Sequence, residues 1–246
     1  MAKQSRGTCN LCGYESTKAG LTRHLATCPA NHDLSTGKPS RIFRLRIEAS
    51  YAPEYWLDVE IKETATLRVL DQFLRDIWLE CCGHLSAFTI GDTFYDVSYE
   101  GDEEDEAMEA EAEEQLFALL KERGIPESRW PARRRERGMD VKISEIFEEG
   151  LSFEHEYDFG STTHLKLKVV SEREGKISDK LRLLARNKLP EWTCVKCGKP
   201  ATVLHSEKMY DEENPFYCKT HARGWDDYPY MPIVNSPRMG VCGYTG

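Results

Sequence analysis

The stretch Phe153-Glu-His-Glu-Tyr-Asp-Phe-Gly-Ser-Thr-Thr-His-Leu-Lys-Leu-Lys-Val-Val170 decides the fold. Phe153, His155, Tyr157 and Phe159 alternate with polar residues, and so do Leu165, Leu167 and Val169. Gly160 to Thr163 separates the two runs, so the stretch reads as a β-hairpin with a four-residue loop at the centre of a sheet. Asp158, Thr162, Thr163 and His164 fall near the hairpin tip. Asp158 is expected to tie the turn by accepting hydrogen bonds from backbone amides, and a functional role there stays open.

Upstream, Phe43, Leu45 and Ile47 alternate with Arg44, Arg46 and Glu48. After a turn at Pro53, Tyr55, Leu57, Val59 and Ile61 alternate again, which predicts two paired, half-buried strands. Leu67, Leu70, Phe73, Leu74, Ile77 and Trp78 recur at helical spacing, predicting an amphipathic helix from about 66 to 80 that covers the sheet. Gly83 is its expected stop, and Cys81 and Cys82 read as small core residues. Residues 100–114 are an acidic run of low complexity, read as a mobile insertion, and Leu116, Leu119 and Leu120 suggest that it condenses into a helix up to Arg123, stopped by Gly124-Ile125-Pro126. Arg133, Arg134, Arg135 and Arg137 form a basic cluster that reads as an electrostatic partner of that run. The fold class expected for 41–189 is α+β, a mixed or antiparallel sheet covered by helices.

The chain has 246 residues, 40% of them apolar, which is enough for one substantial core with small accessory modules. No run approaches eighteen apolar residues and no apolar run follows the first charges, so neither a membrane span nor a signal peptide is expected, and the cytoplasm is the expected location. The net charge of -9 is unevenly spread: residues 1–46 carry an excess of positive charge, and the middle of the chain is strongly acidic. Broad wrapping of nucleic acid by that acidic body is disfavoured, because backbone affinity comes from neutralising phosphates. The basic amino-terminal region has no such bar.

In a reducing compartment, nine clustered cysteines argue for metal ligation over disulfides. Cys9-x2-Cys12-x11-His24-x3-Cys28 has the spacing of a closed tetrahedral zinc site, with the cysteines on a knuckle and His24 and Cys28 expected on one face of a helix within Lys18–Thr27. Leu21, Leu25 and Tyr14 are too few to fold residues 1–30 alone, so the metal is expected to supply the folding free energy, about 10–16 kcal/mol of apparent binding. The segment resembles the Cys-Cys-His-Cys form of zinc finger. Lys3, Arg6, Lys18 and Arg23 are its candidate nucleic-acid contacts. Residues 31–40 read as a polar linker that lets the finger move.

At the other end, Cys194-x2-Cys197-Gly198 and Cys218-x2-His221 have the spacing of a zinc ribbon, with Gly198 suited to the tight turn. Residues 190–224 are therefore read as a second zinc module, near neutral and suited to protein contact. The tail, 225–246, is rich in aromatic, proline and glycine residues and is expected to pack on the main domain, with Arg238 and Cys242 as candidate recognition residues in the alternative.

The strand pair, the helix ending near His84 and Leu85, Phe88, the acidic insertion and then Tyr157-Asp158-Phe159-Gly160 together resemble the plasmid pRiA4b open-reading-frame-three-like family over residues 41–170. That resemblance implies an α+β fold and an association with plasmids and insertion elements. Where the family pattern continues after the glycine with Asp, then Trp and His, this chain has Ser161, Thr163 and His164. The leading expectation is a non-catalytic adaptor stabilised by two zinc ions, binding nucleic acid through the finger and protein through the rest. The alternative is a metal-dependent hydrolase or nuclease using His84, His155, Asp158 and His164. In either case Cys81, Cys82 and Cys242 are left without an assigned ligand role.

Overall fold

The computed structural model describes residues 5–98, 103–126, 135–209, 214–223 and 228–246. Lys3, Arg133 and Arg134 lie outside them. In chain order the strands are β1 (Arg6–Cys9), β2 (Glu15–Thr17), β3 (Ser40–Ala49), β4 (Trp56–Lys62), β5 (Ser86–Ile90), β6 (Thr93–Asp96), β7 (Arg135–Gly138), β8 (Ser152–Tyr157), β9 (Thr163–Gly175), β10 (Leu181–Asn187), β11 (Val203–His205), β12 (Phe216–Tyr217) and β13 (Tyr230–Pro232). The helices are α1 (Lys18–His24), α2 (Leu67–Leu74), α3 (Glu103–Glu122) and the single turn α4 (Ile143–Ile146).

The hairpin of the opening stretch is β8 and β9, in register from Ser152 opposite Lys168 to Tyr157 opposite Thr163. It sits inside a ten-stranded sheet of order β2-β1-β10-β4-β3-β9-β8-β5-β6-β7. The pairings are antiparallel except between β6 and β7, so the class is α+β with a large, mostly antiparallel sheet and few helices. The alternating apolar residues of β3, β4, β8 and β9 form one buried cluster with Leu67, Leu70, Leu74 and Trp78 of the covering helix. That helix continues past α2 as a π-helical turn, Arg75–Leu79, matching the apolar stripe over 66–80.

The other face of the sheet holds polar residues; Glu154, Lys166 and Lys168 on β8 and β9 are exposed there, but over β4 the face is covered. The finger lies on it. β1 pairs with β10, placing Gly7 opposite Asn187 and Cys9 opposite Ala185, so the finger hairpin extends the sheet. Leu21, Leu25 and Cys9 bury Trp56 with Leu184 and Ala185. The approach is close enough that a Cβ on Gly7 would come within 2.5 Å of the Trp56 ring and of the Arg186 carbonyl oxygen.

Beside this apolar patch runs an ionic network. Arg173 donates to both Glu60 and Asp33 at 2.8 Å, and Arg182 reaches Glu60 at 2.7 Å and Asp33 at 3.1 Å. Asp33 belongs to the segment expected to be a free linker. Here it is pinned by two arginines and the Lys176 amide, which ties the finger down. Two β-bulges make this possible. Opposite Arg44 and Leu45, β9 carries an extra residue between Val169 and Ser171, and β10 has one between Leu183 and Ala185. Each reverses the side-chain phase, so Arg173 points to the finger side and Leu184 and Ala185 both pack on Trp56.

The acidic run is helical from Glu103 to Glu122, the helix expected to run up to Arg123, in keeping with the high helix propensity of its alanines and glutamates. Gly124, at φ 67°, follows the helix end. Arg135 and Arg137 lie on β7, parallel to β6. Cys82 is exposed and so is no core residue, while Cys81 is half-buried and packs against the edge of the core. Finally, α1 ends at His24, and Cys28 opens a separate 3₁₀ turn, Cys28–His32. Pro29 disfavours α-helical backbone at the residue before it, which breaks the continuous helix expected for His24 and Cys28.

The Arg173 guanidinium holds the Asp33 carboxyl below its ordinary range. A carboxyl with a depressed folded-state pKa adds stability above its unfolded pKa, near 3.9, and loses it as pH falls through the folded value. Asp33→Asn is therefore expected to cost about 1–3 kcal/mol at neutral pH, the range for a broken charged, partly buried pair. The cost should shrink below about pH 4 as the wild-type carboxyl protonates. Denaturant melts of both proteins across pH check this; equal stability at neutral pH counts against the network.

Candidate metal centres

The first centre is assembled by three short devices. The knuckle after β1 closes with Gly13 donating its amide to the Cys9 carbonyl at 2.9 Å, with Gly13 at φ 76°. Thr17 caps α1 by accepting from the Gly20 amide at 3.2 Å, which aims His24 back at the knuckle. The 3₁₀ turn delivers Cys28. The resulting edges are Cys9 Sγ to Cys28 Sγ 3.9 Å, Cys12 Sγ to Cys28 Sγ 3.8 Å and Cys12 Sγ to His24 Nε2 3.2 Å. A tetrahedral ion with metal–sulfur bonds of about 2.3 Å requires sulfur–sulfur edges of about 3.8 Å, so the group suits a metal ion.

The second centre repeats the plan on a three-stranded sheet, β12-β11-β13. Cys194 and Cys197 sit on a knuckle closed by Gly198, at φ 69°, whose amide donates to the Cys194 carbonyl at 2.8 Å. Cys197 Sγ lies 3.8 Å from Cys218 Sγ, and His221 Nδ1 lies 3.6 and 3.4 Å from the Cys194 and Cys218 sulfurs. The third strand, β13, comes from the tail, and Trp192 stacks on Phe216 at 4.2 Å behind the knuckle.

The thiols of the two centres differ. Burial raises Cys194, but amides at Cys218, Lys196 and Cys197 outweigh it and hold this thiol down at about 6, ready to ligate. Burial pushes Cys28 up to about 12, so its thiolate needs a cation beside it.

A third group of four was not assigned from sequence. Cys81, Cys82, His84 and Cys242 offer ligand atoms all within 4.8 Å of one another, as the two anticipated groups do. The sequence signal for it was weak, a Cys-Cys-x-His run and one cysteine far away in the tail. Adjacent cysteines were expected not to share an ion, yet Gly83, at φ 76°, turns the chain so that His84 Nε2 returns to 3.0 Å from Cys82 Sγ.

The residues of the hydrolytic alternative do not gather at one point. His155 is fully buried and bonds Asp71 at 2.7 Å, which in turn pairs with Arg75. His164 pairs with Glu156 at 3.1 Å and meets the Tyr51 ring. Only His84 and Asp158 approach, at 3.5 Å, while Asp158 also accepts from the Gly160 and Ser161 amides as a turn-tying residue does. Of the candidate nucleic-acid contacts, Arg6 is exposed on β1, Lys18 pairs with Glu48 at 2.5 Å, and Arg23 is exposed and makes no ion pair among the described residues.

Cys12→Ala and Cys197→Ala should each lower the metal content of the purified protein by one ion. Because the finger shares the main sheet, Cys12→Ala should also lower the melting temperature of the sheet domain, whereas Cys197→Ala should leave it closer to wild type. Elemental analysis with calorimetry checks both, and unchanged metal content in either variant would remove that centre.

No known protein family matches the chain, and no curated protein does. Among solved structures, a protein of unknown function, MM3350 from Methanosarcina mazei Go1, matches with 14% identity and a TM-score of 0.40, covering 59% of this chain and 67% of that one, a likeness too slight to carry fold or function.

Proposed function

We propose that this chain is a non-catalytic, zinc-stabilised adaptor of the pRiA4b-like, mobile-element kind, working in the cytoplasm. In this reading Cys9, Cys12, His24 and Cys28 hold one structural zinc and Cys194, Cys197, Cys218 and His221 another. The finger contacts nucleic acid and the ribbon side contacts protein. The observation that carries it is the division of surfaces: the finger's inner face is consumed by Trp56 and the ionic network, leaving its outer face, with Arg6 and Arg23 exposed, for a partner.

Two further observations support it. Four-ligand Cys/His groups leave no open coordination position, which suits structural ions. At the junction of finger and sheet, an open cleft of about 410 Å³ is lined by Ser5, Thr17, Lys18, Ala19, Thr22 and Arg46, a hydroxyl- and cation-rich surface suited to phosphate oxygens.

Because the finger is part of the sheet, point variants in the full chain test this reading better than truncation. With roughly two to four phosphate contacts, log affinity for duplex or single-stranded nucleic acid should fall against log salt with a slope of about -2 to -4. Arg23→Ala should weaken binding and reduce the slope by about one, and Lys18→Ala should do less, since Glu48 already holds that cation. Binding that is absent, or is indifferent to Arg23→Ala and to salt, would leave the finger a protein-recognition surface.

A further inference from the structure

The chain's two non-glycine residues with left-handed backbone among those described are Asp158, at φ 64°, and Cys242, at φ 49°. Both stand at the third Cys/His group. Left-handed backbone is unfavourable for a non-glycine residue, and such residues gather where surrounding structure needs a side chain in one place. For Cys242 that place is 3.6 Å from Cys82 Sγ and 3.3 Å from His84 Nε2.

The approach of the tail is built. Arg238, four residues earlier, is completely buried; it donates to Asp158 Oδ2 at 2.5 Å, to the Ser161 carbonyl and Thr163 hydroxyl at 3.1 Å, and to Cys81 Sγ at 3.4 Å. Its guanidinium also lies over the Tyr157 ring at 4.7 Å. Ser236 donates to the Trp78 carbonyl at 2.6 Å. On the other side, Glu80 accepts from the Gly83 amide and the Tyr157 hydroxyl, holding the turn that presents Cys81, Cys82 and His84.

We propose that Cys81, Cys82, His84 and Cys242 bind a third zinc ion, which latches the carboxy-terminal segment to the turn that follows the covering helix, beside the tip of the β8–β9 hairpin. The sulfur edges, 3.7 Å from Cys81 to Cys82 and 3.6 Å from Cys82 to Cys242, match those of the two anticipated centres and the tetrahedral value of about 3.8 Å. The donor set, three sulfurs and an imidazole, selects a soft or borderline divalent ion over calcium or magnesium. Three thiolates and a neutral imidazole around a divalent cation leave one net negative charge, and Arg238, shared between Asp158 and Cys81, offsets part of it. Outer contacts of this kind orient and tune ligands at metal centres. Unlike the other two, this centre joins positions some 160 residues apart, so it exists only in the folded chain.

The test is zinc content of the full-length protein purified under reducing conditions, with Cys82→Ser and Cys242→Ser alongside. Both cysteines are exposed, so the variants are expected to fold, which circular dichroism checks. Wild type should carry three zinc ions, one per Cys/His group, and each variant two. The variants should also show faster amide exchange in residues 236–246, while Arg23→Ala should retain all three ions, which separates this proposal from the nucleic-acid reading. Two ions in wild type, or three in Cys242→Ser, overturns it. So does a Cys82–Cys242 disulfide in a non-reducing peptide map of protein that carries only two ions.

Discussion

Glu60 lies at the middle of the sheet with almost no exposure, and the arrangement of the amino-terminal half follows from what a buried carboxylate requires. An unpaired charge there would cost several kcal/mol, so cations must converge on it. Arg173 and Arg182 do so from the strands β9 and β10, which are not sequence neighbours of β4, and they overshoot to capture Asp33. Asp58 repeats the pattern one step along β4; burial raises its carboxyl against the pull of Arg46, which donates to it at 2.7 Å. The paired charges cannot be left to open water without losing much of their strength, and the finger is the lid that covers them.

This changes what the finger is. A short Cys/His module is commonly an independent bead whose fold depends on its ion alone. Here a metal held by Cys9, Cys12, His24 and Cys28 would fix the hydrophobic side of α1, and that side is applied to Trp56 and the ionic network in place of a partner molecule. Metal binding there would be linked to sheet stability, because an ion would favour the conformation of the finger that completes the sheet. The ribbon is coupled in another way, since β13 from the tail closes its small sheet before the chain runs on to Arg238 and Cys242.

The strands, the covering helix and both sequence-assigned ligand sets were legible because each depends on local spacing: period two for a pleated strand, helical spacing for α2, and two residues between cysteines for a knuckle. Asp158 as a turn-tying residue was legible for the same reason, its carboxylate reaching amides two and three positions on. The helix of the acidic run was legible too, in the spacing of Leu116, Leu119 and Leu120 and the stop at Gly124, and the high helix propensity of alanine and glutamate extends it to Glu103.

The sequence by itself therefore determined the α+β class, the β8–β9 hairpin and which cysteines and histidines form the first two candidate metal groups, since these are contacts between residues a few positions apart or between two knuckles within one short segment. Only the tertiary structure decided that the finger belongs to the main sheet, that Arg173 turns towards Glu60, and that Cys242 meets Cys81, Cys82 and His84. Two β-bulges reverse the side-chain phase on β9 and β10, and a bulge has no signature in an alternation pattern until its partner strand is known. The third cysteine group depends on a chain path set by a buried arginine 75 to 80 residues from the hairpin groups it bonds, a distance at which residue spacing carries no information about contact.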